Sequence, residues 1–352
     1  MNRRSFLAAS GALAGAHLLA GRAALAKQAL VTGCGATFPR QVFGAWAEAG
    51  IGPTGIKMTY DGTSSAEGLQ KCTDRVVDFA ATVAPTSVRR LQEKGLMQFP
   101  SMVGPVVFVV NLPGVASNQL RLTGENIADL YMGKITKWND PKLKEHNPGL
   151  ALPDLPVAPI YRSDSTGTTL LATTYLSRAS EAWRNGPKAG NVVQWPLGKS
   201  GHLNAGVADA INATPGAIGY VKNSYAAPKG LTTTQLRNHS GNFVKPERPN
   251  FYAAIDATDW SRPGFVVDMI DLDGANVWPV LGPCYTVVCS NPSGEKVESV
   301  RNTLKFFDWA FNKGDDIARN MGNASLPDAL NKAVHEAWLT IKDPSGRPVW
   351  GV

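Results

Sequence analysis

Short β-like runs alternate with helix-like segments along most of this chain, and no other feature restricts its fold as strongly. "ALVTGC" precedes "PRQVFGAWAEA", "IKMTYDG" precedes "AEGLQKCTDRV", and "VAPIYR" precedes "TTLLATTYLSRA", with "GPVVFVVNL" as a further β-like run. Neighbouring parallel strands need a crossover, and a helix is the usual one. The order therefore predicts an α/β protein with a largely parallel sheet. Toward the C-terminus, "VESVRNTLKFFDWAFNKG" sets Val300, Leu304, Phe307 and Phe311 on one helical face, with Gly314 where a C-cap glycine belongs. With 352 residues, 43% of them hydrophobic, the chain can bury a core of one to three domains, which excludes a disordered protein.

The first 26 residues stand apart from that pattern. "NRRSFLAASGALAGAHLLAGRAALA" has paired arginines, a stretch of small apolar residues and Ala24-Leu25-Ala26 as a cleavage site. It reads as an export signal of twin-arginine type, cleaved after Ala26, which sends the protein to the periplasm. The apolar run is too short for a membrane anchor and is interrupted by Arg22. The signal holds Arg3, Arg4 and Arg22 and no acid, so 32 of the 35 basic residues face 28 acidic ones in the mature chain, a net +4. So mild a balance, with no basic run carrying interleaved aromatics, excludes a nucleic-acid partner and favours approach by an anionic solute.

Four cysteines follow: Cys34, Cys72, Cys284 and Cys289. In an exported protein they are expected as disulfides, with three pairings open. Cys284 and Cys289 are expected on one strand, where five residues span about 16 Å, too far to join directly. No repeat, low-complexity tract or flexible linker divides the chain. A second lobe must then be reached by extended crossings, for which "QFPSMVG" and "NVWPVLG" are the candidates.

Three stretches repeat one design, in which a strand leads through a turn rich in small hydroxyl residues into a helix. They are Gly35-Ala36-Thr37-Phe38-Pro39, Gly62-Thr63-Ser64-Ser65, and Ser165-Thr166-Gly167-Thr168. A helix N-terminus offers unpaired N–H groups and a partial positive charge, hydroxyls add rotatable donors, and glycine allows close approach. One such turn is an ordinary N-cap. Three of them, with Arg162 entering the third, point to a shared anion site. Rival motifs are incomplete. "GCGATF" lacks the third glycine of a dinucleotide fingerprint, and "GKS" at 198–200 has Val193 where a P-loop needs glycine. There is no G-x-S-x-G elbow, and no histidine lies near "DSTGTT" to act as a base. His146, His202, His239 and His335 show no metal-ligand spacing, so no metal or cofactor is expected.

Eight further stretches, in order, carry a resemblance. "TGCGATFPRQVFGAWAEAG", "YDGTSSAEG", "LMQFPSMVGPVVFVVNLPG", "LTGENIADLYMGKITKWND", "YRSDSTGTT", "PGAIGYVKNSYA", "LKFFDWAF" and "SLPDAL" resemble the periplasmic phosphate-binding proteins of bacterial phosphate ABC importers. The likeness spans essentially the whole mature chain. It implies a two-lobed periplasmic binding protein fold, α/β in class, with a ligand cleft between lobes joined by extended crossings, and no catalysis. Lobe 1 is expected from residues 27–103 with 277–352, and lobe 2 from 104–276. The ligand residues it implies are Thr37, Phe38 through its backbone N–H, Ser65, Arg162, Thr166, Gly167 and Thr168. Asp164 is implied as the carboxylate that holds Arg162. The partners implied are phosphate and the membrane subunits of an ABC importer, with the protein expected as a monomer.

One position departs from the family. The strand after "VDFA" there ends in an aspartate before Ala-Pro, whereas this chain reads "VDFAATVAP", with Val83 at that place. The aspartate accepts a hydrogen bond from protonated phosphate and repels sulfate; valine does neither. An unmet O–H costs about 1–3 kcal/mol, about one to two decades of affinity. Nearby substitutes are Ser or Thr hydroxyls and the carboxylates of Asp61 and Glu67. The alternatives to a phosphate binder are therefore the same fold holding sulfate, arsenate or a phosphate ester and, more remotely, an exported phosphatase.

Overall fold

The structure, a computed structural model, describes residues 28–351. The expected export signal over residues 1–26 and its cleavage site lie outside the described residues. Strand β1 (Ala29–Gly35) leads into helix α1 (Arg40–Thr54), and β2 (Ile56–Gly62) into α2 (Ser65–Thr73). After β3 (Phe79–Thr82) and α3 (Val88–Glu93) comes the longest strand, β4 (Leu96–Val110). A second run holds β5 (Arg121–Leu122), α4 (Gly124–Tyr131), α5 (Pro141–Glu145), β6 (Ala158–Arg162), α6 (Gly167–Ala179) and α7 (Glu181–Asn185). It continues through β7 (Lys199–Gly201), α8 (Leu203–Asn212), β8 (Ala217–Lys222), β9 (Thr232–Thr233), β10 (Gln235–Arg237), β11 (Phe243–Val244) and α9 (Arg248–Asp256). The chain returns along β12 (Leu281–Cys289) and closes with α10 (Lys296–Asn312), α11 (Asp315–Asn320) and α12 (Asp328–Trp338).

Eight strands form one sheet in the order β2-β1-β3-β12-β4-β8-β6-β7, and β9 adds to β4. The sheet is mixed, which corrects the expectation of a largely parallel one. β1 is parallel to β2 and β3, and β6 to β7 and β8, whereas β12 and β4 are antiparallel to every neighbour. The cause is the two crossings. "QFPSMVG" lies inside β4, "NVWPVLG" runs into β12, and the two pair in opposite directions, Gly104 opposite Gly282. β4 pairs with β12 as far as Pro105 and with β8 from Val106 onward, so one unbroken strand serves both halves of the molecule.

Burial follows from that position. All nine residues of β12 are buried, as are the four of β3, because helices cover both faces. Such strands read as apolar runs, not as alternations. In the first half, Phe43, Phe79, Phe99, Phe307, Phe311 and Trp338 make edge-to-face contacts between α1, α10, α12 and the sheet. Val300, Leu304, Phe307 and Phe311 are the buried face of α10, as their spacing predicts. Gly314 is not its left-handed cap: its φ is −87° and it opens α11. Its carbonyl accepts the Trp46 indole N–H at 2.7 Å, and a Cβ there would lie 3.0 Å from Trp46.

The four cysteines are free thiols, which corrects the expected disulfides. Each is buried in a separate setting. Cys34 Sγ lies 3.3 Å from the Thr63 hydroxyl, Cys72 donates to the Val287 carbonyl, and Cys289 to Asn291. Burial pushes the Cys72 and Cys284 thiols up to about 12, which denies them the thiolate that exchange needs.

Candidate functional site

The pairing register levels the C-terminal ends of three strands. Gly35 stands beside Gly62 on β2 and Ala81 on β3, so the turns that follow converge on one place. Ligands of α/β sheets bind at this end of the strands. The turn after β1 is held by three bonds: Ala36 N–H to the Ala81 carbonyl at 2.8 Å, Thr63 N–H to the Gly35 carbonyl at 2.7 Å, and Tyr60 O–H to the Ala36 carbonyl at 2.6 Å. Helix α2 approaches the end of β1 through Gly68, where a Cβ would fall 2.4 Å from the Cys34 carbonyl oxygen. Any other residue there would push Ser64 and Ser65 away from Thr37. Ser64 caps α2 by accepting from Glu67 N–H at 3.2 Å.

From the other half, β6 ends on Arg162 and α6 begins at Gly167, capped by the Thr166 hydroxyl, which accepts from Thr168 N–H. A cavity of about 140 Å³ lies between the two groups. Thr37, Ser64 and Ser65 face Ser165, Thr166, Gly167 and Asn191 across it. That volume is far below the several hundred Å³ of a drug-sized pocket, so the site suits a small ion. Two helix N-termini, α2 and α6, open on it with five hydroxyls, an arrangement that attracts an anion.

Arg162, at the end of β6 and five residues before α6, has a fully buried side chain. Nε donates to Asp164 Oδ1 at 2.8 Å and Nη2 to Oδ2 at 2.5 Å, a two-pronged pair that fixes the plane of the guanidinium. Asp164 Oδ1 also accepts from Leu203 N–H at 3.0 Å, which ties the pair to α8. Burial opposes the charge on Asp164, but the hydrogen bonds and charge of Arg162 outweigh it and hold the carboxyl below its ordinary range. Arg162 Nη1 and the Thr168 hydroxyl are buried and have no hydrogen-bond partner among the described residues. Unmet buried donors cost about 1–3 kcal/mol each, and an oxyanion's oxygens would satisfy both.

Of the residues singled out from sequence, Thr37, Ser65, Thr166 and Gly167 line the cavity together. Thr168, Arg162 and Asp164 do not line it; they are buried or half-buried on either side of the lining stretch Ser165–Gly167 in the chain. Phe38 is buried with its ring against Gly104, and its carbonyl accepts the Lys222 ammonium at 2.9 Å. Val83 sits at the site: a Cβ on Gly167 would fall 2.4 Å from Val83 Cβ. Neither Asp61 nor Glu67 lines the cavity, and Glu67 is paired with Lys71 at 2.7 Å. The lining residues that offer acceptors are the hydroxyl residues and Asn191.

Sequence reading missed three residues. Asn191 lines the cavity, and its carbonyl accepts from Thr166 N–H at 3.1 Å. Tyr220 joins Thr169 to the Arg162 backbone, and burial pushes its phenol up to about 12, so it stays a neutral hydrogen-bonding group. Lys222 is the third. Its signal was present: a lysine ending the apolar strand "AIGYVK". A larger cavity, about 510 Å³, opens at the other end of α6, but Asp129 in its wall is already paired with Lys134 and Lys142.

Residues 20–312 match the model of a PBP superfamily domain. The chain is 36% identical over 322 residues to "Phosphate-binding protein PstS" of Pasteurella multocida, covering 91% of this chain and 93% of that one. It is also 36% identical over 311 residues to the protein of the same name from Haemophilus influenzae, covering 88% and 92%. Among solved structures, a high-affinity periplasmic phosphate-binding protein (PfluDING) bound with phosphate superposes with a TM-score of 0.69 at 22% identity, over 88% of this chain and 94% of that one. The fold is thus the two-lobed α/β architecture of periplasmic binding proteins. By sequence over nine-tenths of its length, this chain belongs to the PBP superfamily and, within it, to the phosphate-binding protein PstS family.

Proposed function

We propose that the protein binds inorganic phosphate in the periplasm and delivers it to the membrane subunits of an ABC importer, acting as a monomer. One observation carries the reading: Arg162, clamped on two nitrogens by Asp164, keeps its third nitrogen buried and unpaired, and the turn that follows it, Ser165–Gly167, walls a small cavity onto which two helix N-termini open. The ligand residues proposed are Thr37, Phe38 N–H, Ser65, Arg162, Thr166, Gly167 and Thr168. The proposed lobes are residues 27–103 with 277–352 and residues 104–276, a division supported by the change of partner along β4. No turnover is expected. The Thr166 oxygen accepts the α6 capping bond, which leaves its O–H to donate to an anion, and no histidine lines the cavity to activate it as a nucleophile. Equilibrium binding of radiolabelled phosphate to residues 27–352 tests the reading: saturable binding at one site per chain is expected, and no binding at millimolar phosphate overturns it.

Gly167→Ala offers a sharper check on where the anion sits. The added Cβ would collide with Val83, and the cheapest relief moves the start of α6 away from Thr37 and Ser65. Overpacking of this kind costs about 1–3 kcal/mol. Phosphate affinity is expected to fall at least tenfold, measured by calorimetry, with circular dichroism unchanged. An affinity within twofold of the unaltered protein would remove Gly167 from the site.

A further inference from the structure

Arg162 and Lys222 are the two buried basic side chains among the described residues. Arg162 is neutralised by Asp164. Lys222 has no carboxylate partner. It ends β8, is 1% exposed, and donates from Nζ to the Phe38 carbonyl at 2.9 Å, with the ammonium 4.8 Å from the centroid of the Phe38 ring. Its stem passes Gly104 on β4, where a Cβ would lie 3.2 Å from Lys222 Cε, and its backbone N–H is held by Asn204 of α8. The titratable group acting on the ammonium is the Cys284 thiol on β12, itself buried and neutral; Phe38, β4 and Asn204 bring no charge. A buried ammonium without a counter-ion is costly, and here burial pulls the lysine down to about 7.

The arrangement joins the two halves of the molecule. Lys222 belongs to the strand beside β6, whereas Phe38 follows Thr37 in the turn that walls the other side of the cavity. We propose that Lys222 is a positioning residue for the anion, tying the Thr37–Phe38 turn to β8 across the cleft and supplying the buried positive charge that a bound oxyanion completes. This rests on the phosphate reading above. The Arg162–Asp164 pair has no net charge, so the charge a multivalent anion needs comes from Lys222 together with the helix termini. An anion beside the turn favours the charged lysine, so binding takes up a proton just above neutral pH. Affinity accordingly falls as pH rises through the range where free Lys222 loses its proton.

Lys222→Met keeps the unbranched stem, one atom shorter, and removes the charge. Titration calorimetry with inorganic phosphate at pH 7.5, in two buffers of different ionisation enthalpy, reads both Kd and protons taken up. Phosphate's own titration is common to both proteins, so the difference reports Lys222. A Kd at least tenfold weaker and a smaller proton uptake are expected for the variant; a Kd within twofold and an equal uptake overturn the proposal. If the variant does not fold, NMR of the unaltered protein labelled at the lysine ε-carbon decides instead. The Lys222 resonance must titrate near neutral pH and move to higher pH on saturation with phosphate, and an unmoved midpoint overturns the proposal. Should the unaltered protein bind no phosphate, the phosphate reading itself fails and this inference falls with it.

Discussion

Arg162→Ala is expected to weaken phosphate binding by about 3 kcal/mol or more, over a hundredfold, the usual scale for truncating one member of a buried charge pair. Two effects add. The free Nη1, buried and unpartnered, is lost as a donor to the anion. Asp164 is then left without its counter-ion, still held by Leu203 N–H, as a bare carboxylate next to a dianion. The second effect separates this site from a merely structural ion pair. Changing Asp164 to alanine as well removes the repulsion, so the double variant is expected to bind better than Arg162→Ala alone. The sign with pH follows. With Arg162 present the Asp164 carboxyl is lowered, so its ionic hold exists above the ordinary carboxylate range and is lost only as pH falls through the lower folded value. Without Arg162, only backbone N–H bonds oppose burial, the largest influence on the group, so the carboxyl rises and residual binding by the single variant improves on mild acidification. Calorimetry at pH 7.5 and pH 5, with thermal melts as the check on folding, reads all of this. A loss below tenfold at pH 7.5 would place the anion elsewhere.

The parts of this design that were legible in the sequence are those with local signatures. The turns at Thr37, Ser65 and Thr166 were visible because a strand, a small-residue turn and a helix are written in consecutive residues; Ser64 and Thr166 cap their helices, whereas α1 starts after Pro39 with no side-chain cap. The buried face of α10 was visible through its period. Strand direction was not, because a β-like run reads alike in either sense; only the crossings explain why β4 and β12 oppose their neighbours. Free thiols were hidden for a similar reason. Cysteine number and compartment speak for disulfides, whereas pairing depends on which layers the four side chains enter. Lys222 shows the limit from the other side. Its bond to Phe38 joins positions 184 residues apart, and nothing in the sequence near either residue announces the other.

Val83→Asp is expected to move two ligands in opposite directions. Val83 is 4% exposed and packs onto Gly167 at the mouth of α6, so a residue of nearly the same shape replaces it without a new cavity. No carboxylate lines the cavity in the unaltered protein. A phosphate oxygen that carries a proton must therefore donate to a hydroxyl or amide, a weaker acceptor than a carboxylate. Supplying the carboxylate is expected to strengthen monohydrogen phosphate by about 1–3 kcal/mol, the cost of an unmet hydrogen bond. Sulfate has no proton to give, so the same charge repels it and its affinity is expected to fall by at least a similar amount. A change in stability or in lobe closure would move both anions the same way, so the opposed shifts are diagnostic. Competition of each anion against labelled phosphate, run on both proteins at pH 7.5, measures them. If Val83→Asp weakens both anions, a hydroxyl already holds the phosphate proton, and the valine is part of a pocket that selects its anion by shape and by the positive charge of Arg162 and Lys222.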